Sequence, residues 1–456
     1  MTVSEYMTSL KHKRVAVIGI GVSNTPLIRM LLRAGIDVTA CDKNSREALG
    51  GVAEELESLG ARLQLGEGYL EKLDQDVIFR TPGLRPDVPA LEAARARGGE
   101  VTSEMEVFFQ VCPCKIIAVT GSDGKTTTTT IISEFLKAAG YNVYVGGNIG
   151  KPLLPDAAGM EPDDVAVLEL SSFQLMTMSQ SPDIAVVTNV TPNHLDVHKS
   201  MSEYIAAKEN IFRYQTENGL CVLNYDNDIT RAFADTAVGK TVCFSRREEL
   251  PQGIYVRDGA IWSGERKVLA LDEILIPGDH NVENYMAAIA AVESMVSDEV
   301  IRRVAKSFGG VEHRIELVRT LNGVRYYNDS IASSPTRTIA GLRSFREKVI
   351  LIAGGYDKQI PFDELGPEIV NHVKLLILTG TTAPKIRAAV ENSVGYHGSN
   401  PEILEFGDFT RAVLAAHQAA QPGDVVILSP ACASFDKFKN FMLRGEAFKK
   451  IIYELE

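Results

Sequence analysis

Short apolar runs alternate with helical stretches along this chain, and the alternation sets its fold class. The runs at residues 14–18, 115–119 and 348–353 are typical of strands buried on both faces of a parallel sheet. Helical stretches, among them 26–32 and 383–390, separate such runs. Because strands and helices in alternation form βαβ units, we predict an α/β protein built on parallel sheets.

The alternation falls into three segments. A length of 456 residues suits two or three domains, because single domains usually have about 100–200 residues. We place the domains at residues 1–112, 113–311 and 312–456. In the second, the run at 184–190 predicts a strand and the apolar spacing over 281–295 predicts a long helix. In the third, the runs at 375–379 and 424–429 predict further strands.

Composition excludes several classes of protein. The net charge of −12 at pH 7 argues against general binding to DNA or RNA, which needs clustered Lys and Arg. No apolar run reaches the roughly 18–20 residues that span a bilayer, and no secretion signal is visible. Six cysteines are scattered, and the close pair Cys112 and Cys114 has no second pair to complete a zinc site. We therefore expect a cytoplasmic protein with free thiols that binds neither nucleic acid nor membrane.

One glycine-rich loop predicts phosphate binding. It follows the apolar run at 115–119, precedes a helical stretch at 131–139, and consists of Gly121, Ser122, Asp123, Gly124, Lys125, Thr126 and Thr127. The glycines let N–H groups converge on an anion at a helix N-terminus, Lys125 can reach the β- and γ-phosphates, and the Thr126 hydroxyl can bind Mg²⁺. The usual pattern has its first glycine at the position of Val119, so this loop is a shortened variant. We expect it to bind ATP.

Polar residues follow further predicted strands, where parallel sheets bind their ligands. Glu169 ends an apolar run and could hold Mg²⁺, or it could cap a helix or face solvent. His194 and His198 follow the run at 184–190, and we favour His194 for a metal or phosphate site and expect His198 to be peripheral. The two histidines could also share a helix face and bind zinc, although no third ligand is apparent.

Three charged residues cannot be assigned from local sequence alone. Lys208 reads as a solvated helix lysine. Arg314 could bind a phosphate through its planar fork or form an interdomain salt bridge. Asp329, which follows the strand-like run at 324–327, could bind a ribose or orient a metal-bound water.

The N-terminal segment carries a weak dinucleotide fingerprint. Gly19 and Gly21 follow the first strand, but Asn24 occupies the third glycine position. Asp42 lies about 20 residues further on, where a ribose acceptor would stand. The segment could bind NAD, and the same geometry would cradle any nucleotide diphosphate.

A series of strings, taken together, resembles the Mur ligases, the ATP-dependent amide-forming enzymes of peptidoglycan synthesis. In family order the strings are 120–127 (TGSDGKTT), 147–150 (GNIG), 169–175 (ELSSFQL), 193–196 (NHLD), 207–208 (AK), 280–284 (HNVEN), 313–316 (HRIE), 328–330 (NDS) and 428–436 (LSPACASFD). The resemblance implies a Rossmann-like N-terminal domain for a UDP group, a central P-loop ATPase domain and a Rossmann-like C-terminal domain that brings an amino acid.

The resemblance also implies roles for individual residues. For ATP it implies the loop 121–127 with Asn284, Arg314 and Asp329. For Mg²⁺ it implies Thr126, Glu169, His194 and Lys208, with Lys208 carried as a carbamate, contrary to its local interpretation. For the UDP group it implies Ser23, Asp42 and Gly83; for the muramoyl-alanine end, Asn148 and Ser171; and for D-glutamate, Lys358, Ser434 and Phe441. Of these, Lys125, His194 and Lys208 are expected to take part in catalysis.

The C-terminal strings favour the branch of the family that adds D-glutamate to UDP-N-acetylmuramoyl-L-alanine through an acyl phosphate. Two positions depart from that branch: Ile331 stands where many members have Lys after 328–330, and Lys43 and Asn44 follow Asp42. We expect a monomeric enzyme of cell-wall biogenesis that uses ATP and Mg²⁺. The alternatives are another Mur-type ligase with a different amino acid, a folate polyglutamate synthase, an NAD-linked oxidoreductase using residues 19–24, and a non-catalytic ATP-binding switch.

Overall fold

The computed structural model describes all 456 residues, which form two compact units. One unit contains residues 1–271 and 283–304, and the other contains residues 272–282 and 305–456. Two sheets lie in the first unit and one in the second. The α/β class built on parallel sheets is confirmed, whereas the boundaries at 112 and 311 stay predictions.

The first sheet has the strand order of a Rossmann fold. Its parallel strands are β1 Arg14–Ile18, β2 Asp37–Asp42, β3 Arg62–Leu65, β4 Val77–Phe79 and β5 Glu100–Thr102. Its helices are α1 Val3–Leu10, α2 Thr25–Arg33, α3 Arg46–Leu49, α4 Gly51–Ser58, α5 Pro89–Ala96 and α6 Glu104–Val111. The order β3-β2-β1-β4-β5 puts the switch point, where such sheets bind ligands, at the carboxyl ends of β1 and β4.

The second sheet is mixed, with a parallel part that carries the phosphate loop. Its strands are β6 Lys115–Thr120, β7 Val143–Gly147, β8 Val165–Glu169, β9 Ile184–Val187, β10 Leu220–Asn224, β11 Lys240–Ser245, β12 Ile254–Arg257, β13 Ala260–Ser263 and β14 Arg266–Ala270. Its helices are α7 Lys125–Ala138, α8 Ser172–Leu175, α9 Met201–Arg213, α10 Asp228–Ala232, α11 Asp279–Val292 and α12 Asp298–Ala305. In the order β14-β13-β12-β11-β10-β9-β6-β8-β7, β6 lies between β9 and β8, and only β12 to β14 pair antiparallel.

The third sheet is parallel apart from one edge hairpin. Its strands are β15 Glu316–Leu321, β16 Val324–Asn328, β17 Val349–Ala353, β18 Val373–Leu378, β19 Glu402–Glu405 and β20 Val425–Leu428, in the order β15-β16-β20-β17-β18-β19. Its helices are α13 Pro335–Leu342, α14 Leu365–His372, α15 Ala383–Glu391, α16 Phe409–Ala419 and α17 Phe441–Glu454. Val349 and Leu351 of β17 enter one core and Ile350 and Ile352 the other, which is why this strand is wholly apolar.

The observed ends of two elements next to the phosphate loop differ from the predicted ones. The strand predicted at 184–190 ends at Val187, because Thr188 and Asn189 bond to that loop instead. The helix predicted at 131–139 begins at Lys125, and the helix predicted at 281–295 is α11. None of the helices combines the length and apolar character that crossing a bilayer requires.

Candidate active site

The phosphate loop is a tight turn between β6 and α7 that only glycine can make at two positions. Gly121 and Gly124 have φ of +151° and +80°, values that residues other than glycine rarely adopt. A Cβ at Gly121 would collide with the Thr188 hydroxyl, and one at Gly124 with the Asn284 side-chain oxygen. The turn leads directly into α7, and the N–H groups at a helix N-terminus favour an anion.

Neighbouring elements hold this loop in place. Asn189 accepts from the Ser122 N–H through its carbonyl and from the Asp123 N–H through its side chain, both at 2.9 Å. The Lys125 Nζ donates to the carbonyls of Gly121 at 3.0 Å and Ser122 at 2.9 Å. The lysine charge thus lies over the loop, as a phosphate-binding role requires.

Glu169 lies beside the phosphate loop at the end of β8. It is 1% exposed, so the surface interpretation is wrong. Its Oε2 accepts from the Thr126 hydroxyl at 2.7 Å, and its Oε1 accepts from the Asn148 amide at 2.7 Å. The structure therefore brings three of the predicted residues together, although the sequence separates Thr126 and Glu169 by 43 positions.

Lys208 is buried, so its interpretation as a solvated helix lysine is wrong. It is 1% exposed on α9, its Nζ donates to the Gly121 carbonyl at 2.7 Å, and it lies 4.7 Å from the centre of the Tyr204 ring. Burial lowers the pKa of this amine well below its usual value, and the nearby charge of Lys125 lowers it further. A neutral amine is a nucleophile, whereas an ammonium group is not.

The two histidines have different environments. His194 is exposed in a loop with φ of +54°, and its ring centre lies 5.2 Å from that of Phe173. His198 is 2% exposed, and its ring stacks on the Phe173 ring with 5.2 Å between the ring centres. Its Nε2 bonds to the Ser172 hydroxyl at 2.9 Å. His198 is thus buried between α8 and the start of α9, and its place outside the metal site stays a prediction. No three His, Cys, Asp or Glu side chains form a group that could hold a metal, so a zinc site at this pair gains no support.

A cavity of about 440 Å³ opens at the switch point of the first sheet. Ser23, Asp42 and Gly83 all line it, as predicted for one ligand group. Asp42 is buried and accepts from the backbone N–H groups of Ile20 at 2.6 Å and Asn44 at 2.8 Å. The carboxylate therefore shapes both loops at the mouth of this cavity.

Arg80 was missed by sequence reasoning, although an arginine directly after the apolar β4 was a signal. It is 2% exposed, and burial lowers the pKa of its guanidinium. It donates to three carbonyls of the turn 81–84, at 3.3, 3.2 and 2.6 Å. It also donates to the Phe173 carbonyl at 3.3 Å and the Thr177 hydroxyl at 3.1 Å. One side chain thus ties the cavity of the first sheet to α8 of the second.

Asn284 and Ser171 complete the predicted set in this unit. Asn284, on α11, is 5% exposed and accepts from the Thr128 hydroxyl at 3.2 Å. Ser171 caps α8, and its hydroxyl and backbone N–H both bond to Gln174. Asn284 therefore borders the phosphate loop, and Ser171 follows the strand that ends in Glu169.

In the second unit, Asp329 is buried at the end of β16. Its Oδ2 accepts from the Ser429 hydroxyl at 2.7 Å and its Oδ1 from the Ile315 N–H at 3.3 Å. Burial raises the pKa of this carboxyl to about 7, and Arg314, which is half-buried, opposes that rise. Arg337 donates to the Ile331 carbonyl at 3.2 Å, so a cation lies beside the position where the sequence has Ile instead of Lys.

Arg444 connects the residues of the second unit that are predicted to hold D-glutamate. The string Arg444-Gly445 also favours the D-glutamate branch of the family, but sequence reasoning assigned the arginine no role. Its guanidinium is buried and donates to Ser330 Oγ at 3.0 Å, to Ser330 O at 2.9 Å and to the carbonyls of Cys432 and Ala433 at 3.1 Å. These carbonyls directly precede Ser434, which is 2% exposed. The arginine therefore fixes the strings 328–330 and 428–436 against each other.

Two further residues that are predicted to hold D-glutamate, Phe441 and Lys358, lie near the hydrogen bonds of Arg444. The Phe441 carbonyl accepts from the Ser330 hydroxyl at 2.7 Å. Lys358 is exposed, two residues after Tyr356, whose N–H donates to the Ala433 carbonyl at 2.9 Å. Phe441 is thus hydrogen-bonded to the cluster around Arg444, whereas the loop that carries Lys358 is joined to it through the Tyr356 N–H.

Comparisons with known proteins find family models and relatives that match this chain. Residues 119–292 match a family model described as the Mur ligase middle domain, and residues 313–432 match one described as the Mur ligase, glutamate ligase domain. The chain is similar to the UDP-N-acetylmuramoylalanine–D-glutamate ligase of Acetivibrio thermocellus, with 55% identity over 99% of both chains. It is similar to the enzyme of that name from Clostridium novyi, with 51% identity over 100% of this chain and 99% of the relative.

Solved structures share the fold at low sequence identity. The UDP-N-acetylmuramate–alanine ligase of Thermotoga maritima aligns with a TM-score of 0.59 and 18% identity, covering 97% of this chain and 99% of that one. The MurF ligase of Thermotoga maritima in complex with ADP aligns with a TM-score of 0.56 and 18% identity, covering 98% and 97%. The three-domain architecture is therefore confirmed.

Proposed function

This chain belongs to the Mur ligase family, and we propose that it joins D-glutamate to UDP-N-acetylmuramoyl-L-alanine, converting ATP to ADP and phosphate, in peptidoglycan precursor synthesis. The observation that carries the proposal is the 55% identity, over 99% of both chains, to a relative named for this activity. The arrangement of Thr126 and the buried Glu169 and Lys208 around the phosphate loop supports it, because amide formation needs a carboxylate activated by ATP.

The reaction requires activation because a carboxylate does not condense with an amine in neutral water. Transfer of the γ-phosphoryl group of ATP to the carboxylate gives an acyl phosphate, whose phosphate is a good leaving group. The amine of D-glutamate then attacks the acyl carbon, and the tetrahedral intermediate collapses to amide and phosphate. The Lys125 ammonium and the N–H groups at the start of α7 would offset the negative charge that moves during the first step.

Four residues are suited to hold Mg²⁺, which neutralises phosphate charge during such transfers. Glu169 offers a buried carboxylate already bonded to the Thr126 hydroxyl, and hard oxygen ligands of this kind suit magnesium. Burial lowers the pKa of Lys208 and so favours its neutral amine, which can add to CO₂ and release a proton to become a carbamate anion. Exposed His194 would complete the set from its loop.

The remaining assignments extend the same proposal. Ser23, Asp42 and Gly83 would bind the UDP group in the 440 Å³ cavity. Asn148 and Ser171 would contact the muramoyl-alanine end; Asn284, Arg314 and Asp329 would contact ATP; and Lys358, Ser434 and Phe441 would hold D-glutamate. A monomeric state and a cytoplasmic location stay predictions.

Phosphate release tests the proposal directly. With UDP-N-acetylmuramoyl-L-alanine, ATP and Mg²⁺ present, D-glutamate should trigger release, whereas L-glutamate, lysine and no amino acid should not. Release that ignores the amino acid would refute the ligase assignment, and release with a different amino acid would point to another Mur-type ligase. An NAD-linked enzyme or a non-catalytic switch would show no amino-acid-dependent release.

The carbamate can be tested separately. Assays in buffer stripped of CO₂ and then supplemented with bicarbonate should show a recovery of rate in the wild type. Lys208→Ala should lose most activity and show no response to bicarbonate. The matched control is Lys137→Ala, which removes an exposed helix lysine paired only with Glu134 and should behave like the wild type.

A further inference from the structure

Cys112 and Cys114 lie together at the connection between the first and second sheets. Their Sγ atoms are 3.5 Å apart, and the Cys112 Sγ also lies 3.6 Å from the Cys114 carbonyl. Both are free thiols, and neither belongs to the active site described above. A disulfide has an S–S length of about 2.05 Å, so the sulfurs need to approach by roughly 1.5 Å for the bond to form.

The backbone holds the two thiols near each other. Cys112 is the C-cap residue of α6, and its N–H donates to the Phe108 carbonyl at 2.9 Å. Cys114 immediately precedes β6. Pro113 between them has a fixed φ, which reduces the conformational freedom of the connection. The two sulfurs therefore stay close together, and each thiol meets the other at a high effective concentration.

We propose that Cys112 and Cys114 form a reversible dithiol–disulfide couple that exchanges with low-molecular-weight disulfides. In the first step the Cys112 thiolate attacks one sulfur of the small disulfide, forms a mixed disulfide and releases one thiolate. In the second step the Cys114 thiolate attacks the Cys112 sulfur and releases the other thiolate. The two protein thiols lose two electrons and two protons, and the small disulfide gains them as two thiols.

The environments of the two thiols assign these roles. Cys112 is partly exposed, and a hydrogen bond from Cys114 lowers its pKa, so it has the greater thiolate fraction and the better access. Cys114 is 7% exposed, and its pKa is raised by its bond to Cys112 and by burial. An accessible attacking thiol and a shielded resolving thiol are the arrangement that thiol exchange uses.

Peptide mapping of the full chain tests the couple. The protein is equilibrated with mixtures of oxidised and reduced glutathione, blocked with iodoacetamide and digested with trypsin. Both cysteines fall in one tryptic peptide, residues 98–115, that contains no other cysteine. We expect this peptide to lose two hydrogens as the oxidised fraction rises, and dithiothreitol to restore two alkylation sites.

Variants separate the two roles. Cys114→Ala, with Cys114→Ser as a second version, should accumulate a glutathione mixed disulfide at Cys112 at least tenfold above the wild type. Cys112→Ser should acquire little glutathione at the buried Cys114. The matched control is Cys243→Ser, which removes another partly exposed thiol and should leave the 98–115 disulfide unchanged. Two alkylated cysteines across the whole range of glutathione ratios, or no mixed disulfide in either Cys114 variant, would overturn the proposal.

Discussion

Replacing Arg80 with methionine tests how the first sheet is fixed to the second. The buried guanidinium makes five hydrogen bonds, three to the turn 81–84 and two to Phe173 and Thr177. The turn is only half-buried, so its carbonyls can bond to water after the substitution. The Phe173 carbonyl and the Thr177 hydroxyl are half-buried as well, and their two bonds are the ones that join Arg80 to the second sheet.

The magnitude is worked from those two bonds to the second sheet. A hydrogen bond to a charged group contributes about 1.5–3 kcal/mol net, and both bonds are longer than 3.0 Å, which places them at the low end. We therefore expect Arg80→Met to lower the free energy of unfolding by about 3 kcal/mol. The burial that lowers the guanidinium pKa opposes the wild-type arginine, so the sum of all five bonds would overstate the loss.

Urea denaturation with a double-mutant cycle isolates the contact. Arg80→Met, Thr177→Val and the double variant should show a coupling of about 1 kcal/mol, because the two side chains share one bond. In the phosphate assay, KM for the UDP substrate should rise while KM for ATP stays constant, since the turn lines the 440 Å³ cavity. Arg95→Met, which removes an exposed arginine, is the matched control. A coupling below about 0.3 kcal/mol would refute the reasoning.

Three further predictions concern Glu104, Gly124 and Arg444. Burial raises the pKa of Glu104 in the folded protein from 4.5 to about 7. As pH rises from about 4.5 to above 7, the wild type should therefore lose about 3 kcal/mol of unfolding free energy relative to Glu104→Gln. Equal pH dependence of the unfolding free energy in the two proteins would contradict this. Gly124→Ala should abolish nucleotide binding in calorimetry, because its Cβ would collide with Asn284, whereas Gly140→Ala shares a positive φ in open space and should bind normally. Arg444→Lys should raise KM for D-glutamate at least tenfold with ATP binding unchanged, because a lysine cannot serve four acceptors at once; unchanged KM would show that the cluster does not position the amino-acid residues.

Much of the architecture could be predicted from local sequence. The apolar runs within β1, β6 and β17 indicated parallel sheets, because strands of this kind are buried on both faces. The phosphate loop could be read with its chemistry, since its glycine conformations, lysine and helix start lie within eight consecutive residues. Strand ends were less accurate, as at Val187, because the residues that follow bond to a distant loop rather than to the sheet.

What tertiary structure alone decided was the environment of the charged groups. Lys208 looked solvated because its immediate neighbours are ordinary helix residues, yet its amine meets a carbonyl 87 positions away in a buried site. The role of Arg80 was not predicted, because its partners Phe173 on α8 and Thr177 after it lie 93 and 97 positions further along. Sequence by itself sets which chemical groups exist and which backbone turns are possible. Burial and hydrogen-bond partners, which set the pKa and therefore the reactivity, arise only when segments far apart in the chain pack together.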